Sequence, residues 1–427
     1  MPDVVVVGAG VAGLAAGSAL SRAGIDVLVV EARGRIGGRT HTDRTLGVDV
    51  DLGAAWLHGP LGNPLTPVIE AAGVSGRFTA WMDDPEVLRV ADASGSAIDP
   101  GAFATGVQAF WAGLAASRRS ELFGEDPGSV AGAVARGLPG HERLDDQQRR
   151  GFDYAASVAV QSLEAADPEH LDWSTFDGLE LPGGNLMLVH GGYGAVVDHL
   201  AEGVPVETSL PVETVKGSAG GVVLETSDGV LHPRAAILTV PLGVLQAGSL
   251  RFDPLLPAAK RDAVGRLGMG QAEKVVLGFA ERSWPEALQT LIRLDPDPES
   301  PFPHFTALPG APVLVAYQGG RRARALDRLD EAAIRQAAVA AARTVLGADL
   351  PEPETVFRTS WSSDPWSRGA YSYHRVGSGP GDRRLLAEPL DDTVFFAGEA
   401  THPGWYATVH GAWESGVRAA HQVLAAL

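Results

Sequence analysis

Val4-Val5-Val6-Val7-Gly8-Ala9-Gly10-Val11-Ala12-Gly13, read with the residues that follow it, decides the fold. Four consecutive β-branched residues make a strand of the kind that is buried on both faces in a parallel sheet. The glycine turn leads into an Ala- and Leu-rich run, Leu14 to Ala23, closed by Gly24. Ile25-Asp26-Val27-Leu28-Val29-Val30 reads as a second strand and delivers Glu31 eighteen positions past Gly13. Strand, glycine turn, helix, strand and acid, in this order, suit a dinucleotide. Gly8 permits the tight turn, Gly10 lets the backbone approach a pyrophosphate at the positive end of the helix, and Gly13 lets the helix pack on the strand. Glu31 can accept hydrogen bonds from a ribose 2′-hydroxyl, and its charge argues against a 2′-phosphate.

Arg33-Gly34-Arg35-Ile36-Gly37-Gly38-Arg39-Thr40 follows at once, where a nicotinamide-dependent dehydrogenase goes on to its next crossover. Paired glycines let backbone come close to a ligand, and flanking arginines can neutralise phosphate charge. Glu31-Ala32-Arg33 with Gly37-Gly38-Arg39 resembles the flavin-binding signature of FAD-dependent amine oxidases. That resemblance implies FAD, with Arg39 near the pyrophosphate and flavin.

The chain has 427 residues, enough for two domains, and no low-complexity tract or repeat. A formal net charge of −18 argues against binding nucleic acid or an anionic membrane through the global field. The absence of cysteine excludes disulfides, cysteine-ligated metals and a thioether link to a flavin. No apolar stretch approaches the roughly twenty residues that cross a bilayer. The expectation is a soluble, cytoplasmic protein with no metal site.

Beyond the first strands, Gly53-Ala54-Ala55-Trp56-Leu57-His58-Gly59, with Gly62-Asn63-Pro64-Leu65, is similar to a stretch of polyamine oxidases that passes beside the flavin. The likeness puts Trp56 at the cofactor and makes His58 a candidate for orienting or deprotonating an amine, although a lone His can equally satisfy local backbone. From Pro67 to about Leu181 helical stretches such as Phe103 to Ala116 and Asp145 to Ala165 replace the βαβ order, as an inserted domain would. Glu164 and Asp167 there read as solvated helix faces or caps, with a substrate channel as the alternative. A loop from Gly183-Gly184 to Gly194 and strands up to Val240 then resemble the return to the cofactor domain, where the residue matching Val212 bonds the adenine through its backbone.

Glu273-Lys274-Val275-Val276-Leu277-Gly278-Phe279 alternates like a strand and resembles the amine-oxidase segment whose lysine reaches flavin N5 through a water. Helix signals fill Arg321 to Leu346. Near the end, Thr393 to Ala397 reads as a buried strand followed by Gly398-Glu399, and a helix is expected near Thr408. The start of such a helix can stabilise negative charge at a reduced flavin, which makes Thr408 and Val409 candidates. Phe395 to His402, Tyr406 to Ala412 and Trp366 to Tyr373 resemble polyamine oxidases and lysine-specific histone demethylases. The Glu399 carboxylate can accept a hydrogen bond from a ribityl hydroxyl. On that resemblance Ala370 replaces the cysteine that bonds the flavin in monoamine oxidases, so FAD is non-covalent, and Tyr371 is one wall of an aromatic cage. Trp405 or Tyr406 is expected as the other wall, holding an amine by cation–π attraction.

The chain is identified as a member of the FAD-dependent amine oxidase family, closest to the polyamine oxidase branch. The implied fold is α/β, with a Rossmann-like, glutathione-reductase-type FAD-binding domain (1–76, 188–270 and 385–427) and an inserted α+β substrate-binding domain on a mixed sheet (77–187 and 271–384). The implied reaction oxidises a polyamine or diamine with O2, yielding H2O2. A monoamine or L-amino-acid oxidase and a non-catalytic FAD-containing binding protein are the alternatives. Oligomeric state is left open.

Overall fold

The computed structural model describes residues 2–78, 86–119, 126–176, 187–218, 221–297 and 299–427. The Gly183-Gly184 part of the expected loop lies outside them. The chain forms two compact units, one of residues 1–78, 179–269 and 362–427, the other of 79–178 and 270–361.

The first unit is built on β1 (Val4–Val7), with β2 (Val27–Val30), β3 (Val206–Glu207), β4 (Ala235–Leu238) and β5 (Val394–Phe396) in the order β3-β2-β1-β4-β5, every pair parallel. Val4 and Val6 pack into one core with Leu14, Leu20, Ile237 and Phe395, while Val5 and Val7 pack into another with Val222, Leu224 and Ala236. Period-two alternation therefore buries both faces, which is why the run carries no polar residue. One face is covered by α1 (Val11–Arg22) and α2 (Val409–Ala426), the other by a four-stranded sheet that includes Val212–Ser218 and Gly221–Thr226. A Cβ on Gly416 would lie 2.1 Å from the Ala12 carbonyl oxygen, so the two helices cross almost backbone to backbone. From that crossing α2 runs back about 10 Å to its first turn at ~1.5 Å per residue.

Segment 362–384, expected with the substrate-binding part, belongs to the first unit. Its side chains explain this: Asp364 and Ser367 each accept from Arg33 at 2.7 Å, and the Ala370 carbonyl accepts from Arg39.

The second unit holds a seven-stranded mixed sheet running Thr355–Arg358, Ala272–Gly278, Val313–Gly319, His304–Ala307, Thr290–Leu294, Leu88–Asp92 and Ala97–Ile98. Only Thr290–Leu294 and Leu88–Asp92 pair in parallel. The helix signals from Arg321 to Leu346 correspond to two helices, Gly320–Leu326 and Glu331–Leu346, the second capped by the Asp330 side chain, which accepts from Ala333. Glu164 and Asp167 are not solvated: they are 3% and 2% exposed. Asp167 accepts from Gln161, Arg321 and Arg324, arginines from a distant helix that supply the charge its burial requires.

Candidate active site

Every strand of the parallel sheet ends at one edge, and there the apolar run gives way to a glycine, an acid or a hydroxyl: Gly8 after β1, Glu31 after β2, Thr239 after β4 and Gly398-Glu399 after β5. Ligands of open α/β sheets bind beyond the carboxyl ends of their strands. The sheet thus brings two ends of the polypeptide to one place.

At the start of α1 the N-cap is Gly10, with no side-chain cap, so the first-turn N–H groups are left to a ligand. A Cβ on Gly13 would sit 1.8 Å from the Gly8 carbonyl oxygen, whereas a Cβ on Gly10 would meet nothing within 4 Å. Gly13 is therefore set by protein packing, and the space over Gly10 is kept open. Gly38, at φ +60°, approaches from the other side, where an added Cβ would come 3.3 Å from the Gly10 Cα. Glu31 is buried, and each carboxylate oxygen accepts one backbone N–H, from Ala9 at 2.8 Å and Arg33 at 2.9 Å. Lone pairs remain on both oxygens for ribose hydroxyls. An open cradle, an uncapped helix start and a half-satisfied acid fit the diphosphate and ribose of FAD.

The arginines of the next loop differ in their freedom. The Arg33 guanidinium is taken up by Asp364 and Ser367, and that of Arg35 by the Ile36 and Gly38 carbonyls, so both shape the loop. Arg39 donates to the Ala370 carbonyl and to Glu399 at 3.0 Å and is 22% exposed, which leaves it able to meet an anion. Ala32 is half-buried beside Glu31. Val212 opens its strand opposite Thr226, with a register shift before Thr214. Trp56 is half-buried, and its carbonyl accepts from the Tyr193 hydroxyl.

Near the start of α2 side chains take up several of the polar groups. Thr408 caps the helix by accepting from Gly411, and its hydroxyl donates to the Trp405 carbonyl. Ala407 is held at φ +59°, a costly conformation for a residue with a Cβ, while its N–H donates to Glu399 at 2.9 Å. Glu399 also accepts from Arg39, the Ser372 N–H and the Ser372 hydroxyl, so its four acceptor positions are filled within the protein. Its geometry makes it a clamp on the α2 start rather than the acceptor for a ribityl hydroxyl expected from sequence. Burial works against its charge, but Arg39 and Arg383, with Ser372 and Ala407, outweigh burial and hold its pKa below the usual carboxylate range.

Nothing in the sequence singles out Arg383. It is fully buried, donates to His374 Nε2 at 2.8 Å and to Ser372 Oγ at 2.7 Å, and lies 3.9 Å from the centre of the Tyr406 ring. Tyr406 is 2% exposed and also packs against His374 at 4.6 Å. Of the two aromatics offered as a cage wall, Tyr406 is thus committed to the interior, and Trp405 is the partly exposed one. Tyr371, next to the clamped Ser372, is likewise partly exposed.

Trp405 stands among histidines. His402 stacks on it at 5.3 Å with a 7° interplanar angle, and His410 meets it edge-on at 5.2 Å. Desolvation pushes the pKa of His58 down to about 4. That of His410 is pushed down to about 3 by desolvation, then by His58 and His402. At neutral pH both rings are uncharged, so His58 is a hydrogen-bonding group and a weak base.

Lys274 belongs to the second unit. It is 3% exposed, its N–H donates to Thr359 Oγ1, and it lies opposite Tyr317 across the strand pair. Val275 and Leu277 point into the helix-covered core, so Lys274 and Tyr317 share the other face. Among the described residues there is no cluster of three or more metal-ligating side chains, and no helix is long and apolar enough to cross a membrane.

The family model for flavin containing amine oxidoreductases matches residues 11–424. Polyamine oxidase 4 of Oryza sativa subsp. japonica is 32% identical over 99% of this chain and 88% of its own length. Polyamine oxidase 2 of Arabidopsis thaliana is 33% identical over 98% and 87%. Lysine-specific histone demethylase 1 homolog 1 of Arabidopsis thaliana is 33% identical over 99% of this chain, which spans about half (52%) of that protein.

Proposed function

Because the chain belongs to the flavin-containing amine oxidoreductase family, and so takes FAD as its cofactor, we propose that it oxidises a polyamine or diamine with O2 as acceptor. A secondary amine with a CH2 group beside its nitrogen, O2 and water would give an aldehyde, a primary amine and H2O2. The first unit is the FAD-binding domain, of Rossmann-like, glutathione-reductase type, and the second is the substrate-binding domain. When bound, FAD supplies the two-electron acceptor for the amine's α-C–H bond and the centre at which O2 is reduced.

The open cradle at Gly10 is the observation that carries this reading, since it fits a diphosphate beside an acid suited to ribose. Gly8, Gly10, Gly13, Gly38 and Arg39 serve the diphosphate. Glu31, Ala32, Arg33 and Val212 serve the adenosine side, while Trp56, Gly398, Thr408 and Val409 serve the flavin side. Tyr371 and Trp405 give the amine aromatic faces, and His58, held uncharged, orients it without repelling a cation. No strong base is needed if desolvation strips the ammonium proton on binding. Lys274 holds a water for the oxygen half-reaction. The Lys274→Met variant should reoxidise far more slowly in O2 while retaining FAD, and equal rates would remove Lys274 from the scheme.

A panel of spermidine, 1,4-diaminobutane, tyramine and a methylated-lysine peptide, assayed for H2O2 and for anaerobic flavin bleaching, tests the reading. Peroxide with the first two supports it. Bleaching only with the peptide would favour a demethylase-like substrate, in keeping with the similarity to that relative. Bleaching with none would leave a binding protein.

A further inference from the structure

In the second unit the strands Ala272–Gly278 and Thr355–Arg358 form a regular antiparallel ladder, from Gly278 with Thr355 to Val275 with Arg358. The next pair in register is Lys274 with Thr359, and there the ladder changes its chemistry. The Thr359 N–H donates to the Lys274 carbonyl at 2.9 Å, as a hydrogen-bonded main-chain pair requires. The return bond does not use the Thr359 carbonyl. Instead the Lys274 N–H donates to the Thr359 hydroxyl oxygen at 2.8 Å. That hydroxyl gives its proton to Glu273 Oε2 at 2.6 Å, and the same carboxylate oxygen accepts the Trp361 N–H at 3.0 Å. Glu273 is fully buried.

A hydroxyl in place of a carbonyl lets the chain leave the sheet at Thr359 while the Lys274 N–H keeps a partner, whose loss in a buried strand would be costly. Glu273 fixes the rotor: with its proton committed, the hydroxyl oxygen keeps a lone pair on the Lys274 N–H. A fully buried acid is itself expensive to hold, so its presence here calls for a use. Glu273 precedes Lys274 on the strand and its side chain lies on the opposite face, so its influence passes through Thr359 and the main chain. A lysine needs that grip, because its amino group ends a flexible four-carbon stem. A small turn at Cα is magnified along the stem, and a misplacement of about 1 Å costs on the order of a hundredfold in rate. We infer that Thr359, held by Glu273, is a positioning residue for Lys274 in the reaction of the reduced flavin with O2. The inference rests on the reading of Lys274 given above and names the residues that aim it.

The test photoreduces FAD-loaded wild type, Lys274→Met, Thr359→Val, Thr359→Ser and the double variant Thr359→Val/Lys274→Met, then mixes each with O2. Thr359→Val should reoxidise roughly tenfold more slowly than wild type, as for a reacting group slightly misplaced. Its Kd for FAD should stay within about twofold. Thr359→Ser, which keeps the hydroxyl, should recover most of the rate. The double variant should be no slower than Lys274→Met, since Thr359 has no lysine left to aim. Hydrogen–deuterium exchange of the flavin-free protein reads the same bond without the cofactor: exchange over residues 270–278 should quicken in Thr359→Val and not in Thr359→Ser. Glu273→Met, which frees the hydroxyl to turn, should also slow reoxidation, though less, and it carries the test if Thr359→Val does not fold. Wild-type reoxidation in Thr359→Val or Glu273→Met, unchanged exchange, no recovery in Thr359→Ser, or additive losses in the double variant would overturn the inference. A Lys274→Met flavin that reoxidises as fast as wild type would instead overturn the reading of Lys274 on which it rests.

Discussion

At the start of α1 the protein presents only backbone: Gly10 has no capping side chain, and the space above it is empty of protein atoms. At the start of α2, by contrast, side chains take up several of the polar groups, through the Thr408 cap on Gly411 and the Ala407 N–H on Glu399, with Ser372 and Arg383 behind them. Both helices follow strands of one sheet and cross at Gly416. The difference matches the groups each end would serve. A diphosphate asks for close, unobstructed N–H groups, which side chains would block. A flat ring and a small amine ask for fixed positions, which the side-chain network around Glu399 gives the α2 start at the cost of a left-handed alanine.

The sharpest break of this contrast is Gly13→Ala. Its methyl would overlap the Gly8 carbonyl oxygen, so the first turn of α1 must move, and the variant should lose both FAD and a large part of its stability. Circular dichroism melting and flavin content measure the two losses together. Arg383→Met comes next. It leaves the Glu399 charge with Arg39 alone and should destabilise the protein by about 3 kcal/mol in denaturant titration, in the range for breaking a buried charged network. FAD retention should fall less than in Gly13→Ala. The smallest effect is on pH dependence. The pKa of Glu399 is depressed in the folded state, so its contribution is full above the unfolded carboxylate range. That contribution is lost as pH falls through the folded value. The decline in stability below about pH 4.5 should be shallower in Glu399→Gln than in wild type.

The two helix starts also differ in how far they could be read from residues alone. The α1 cradle is written within forty consecutive positions, as glycine spacing and one acid, and the strands, helix and cradle found there follow that text. The α2 start depends on partners that only tertiary packing supplies. Arg383 stands between Asp382 and Arg384, and nothing local in that charged run shows that it turns inward to Ser372 and His374. His410 lies inside a recognisable stretch, yet the burial of its Nε2 without a hydrogen bond is visible only when its neighbours are known. Glu164 and Asp167 misled for the same reason, because the arginines that hold Asp167 lie more than 150 positions away.

The flavin content of purified Gly10→Ala, beside that of wild type, tests the central claim most directly. The added methyl meets no protein atom, so the melting temperature of the flavin-free protein should be unchanged. The methyl would occupy the space reserved for the diphosphate, and FAD affinity should fall by at least about tenfold, the loss expected for one charge-assisted hydrogen bond. A Gly10→Ala protein that stays yellow with one FAD per chain and wild-type affinity would contradict the account.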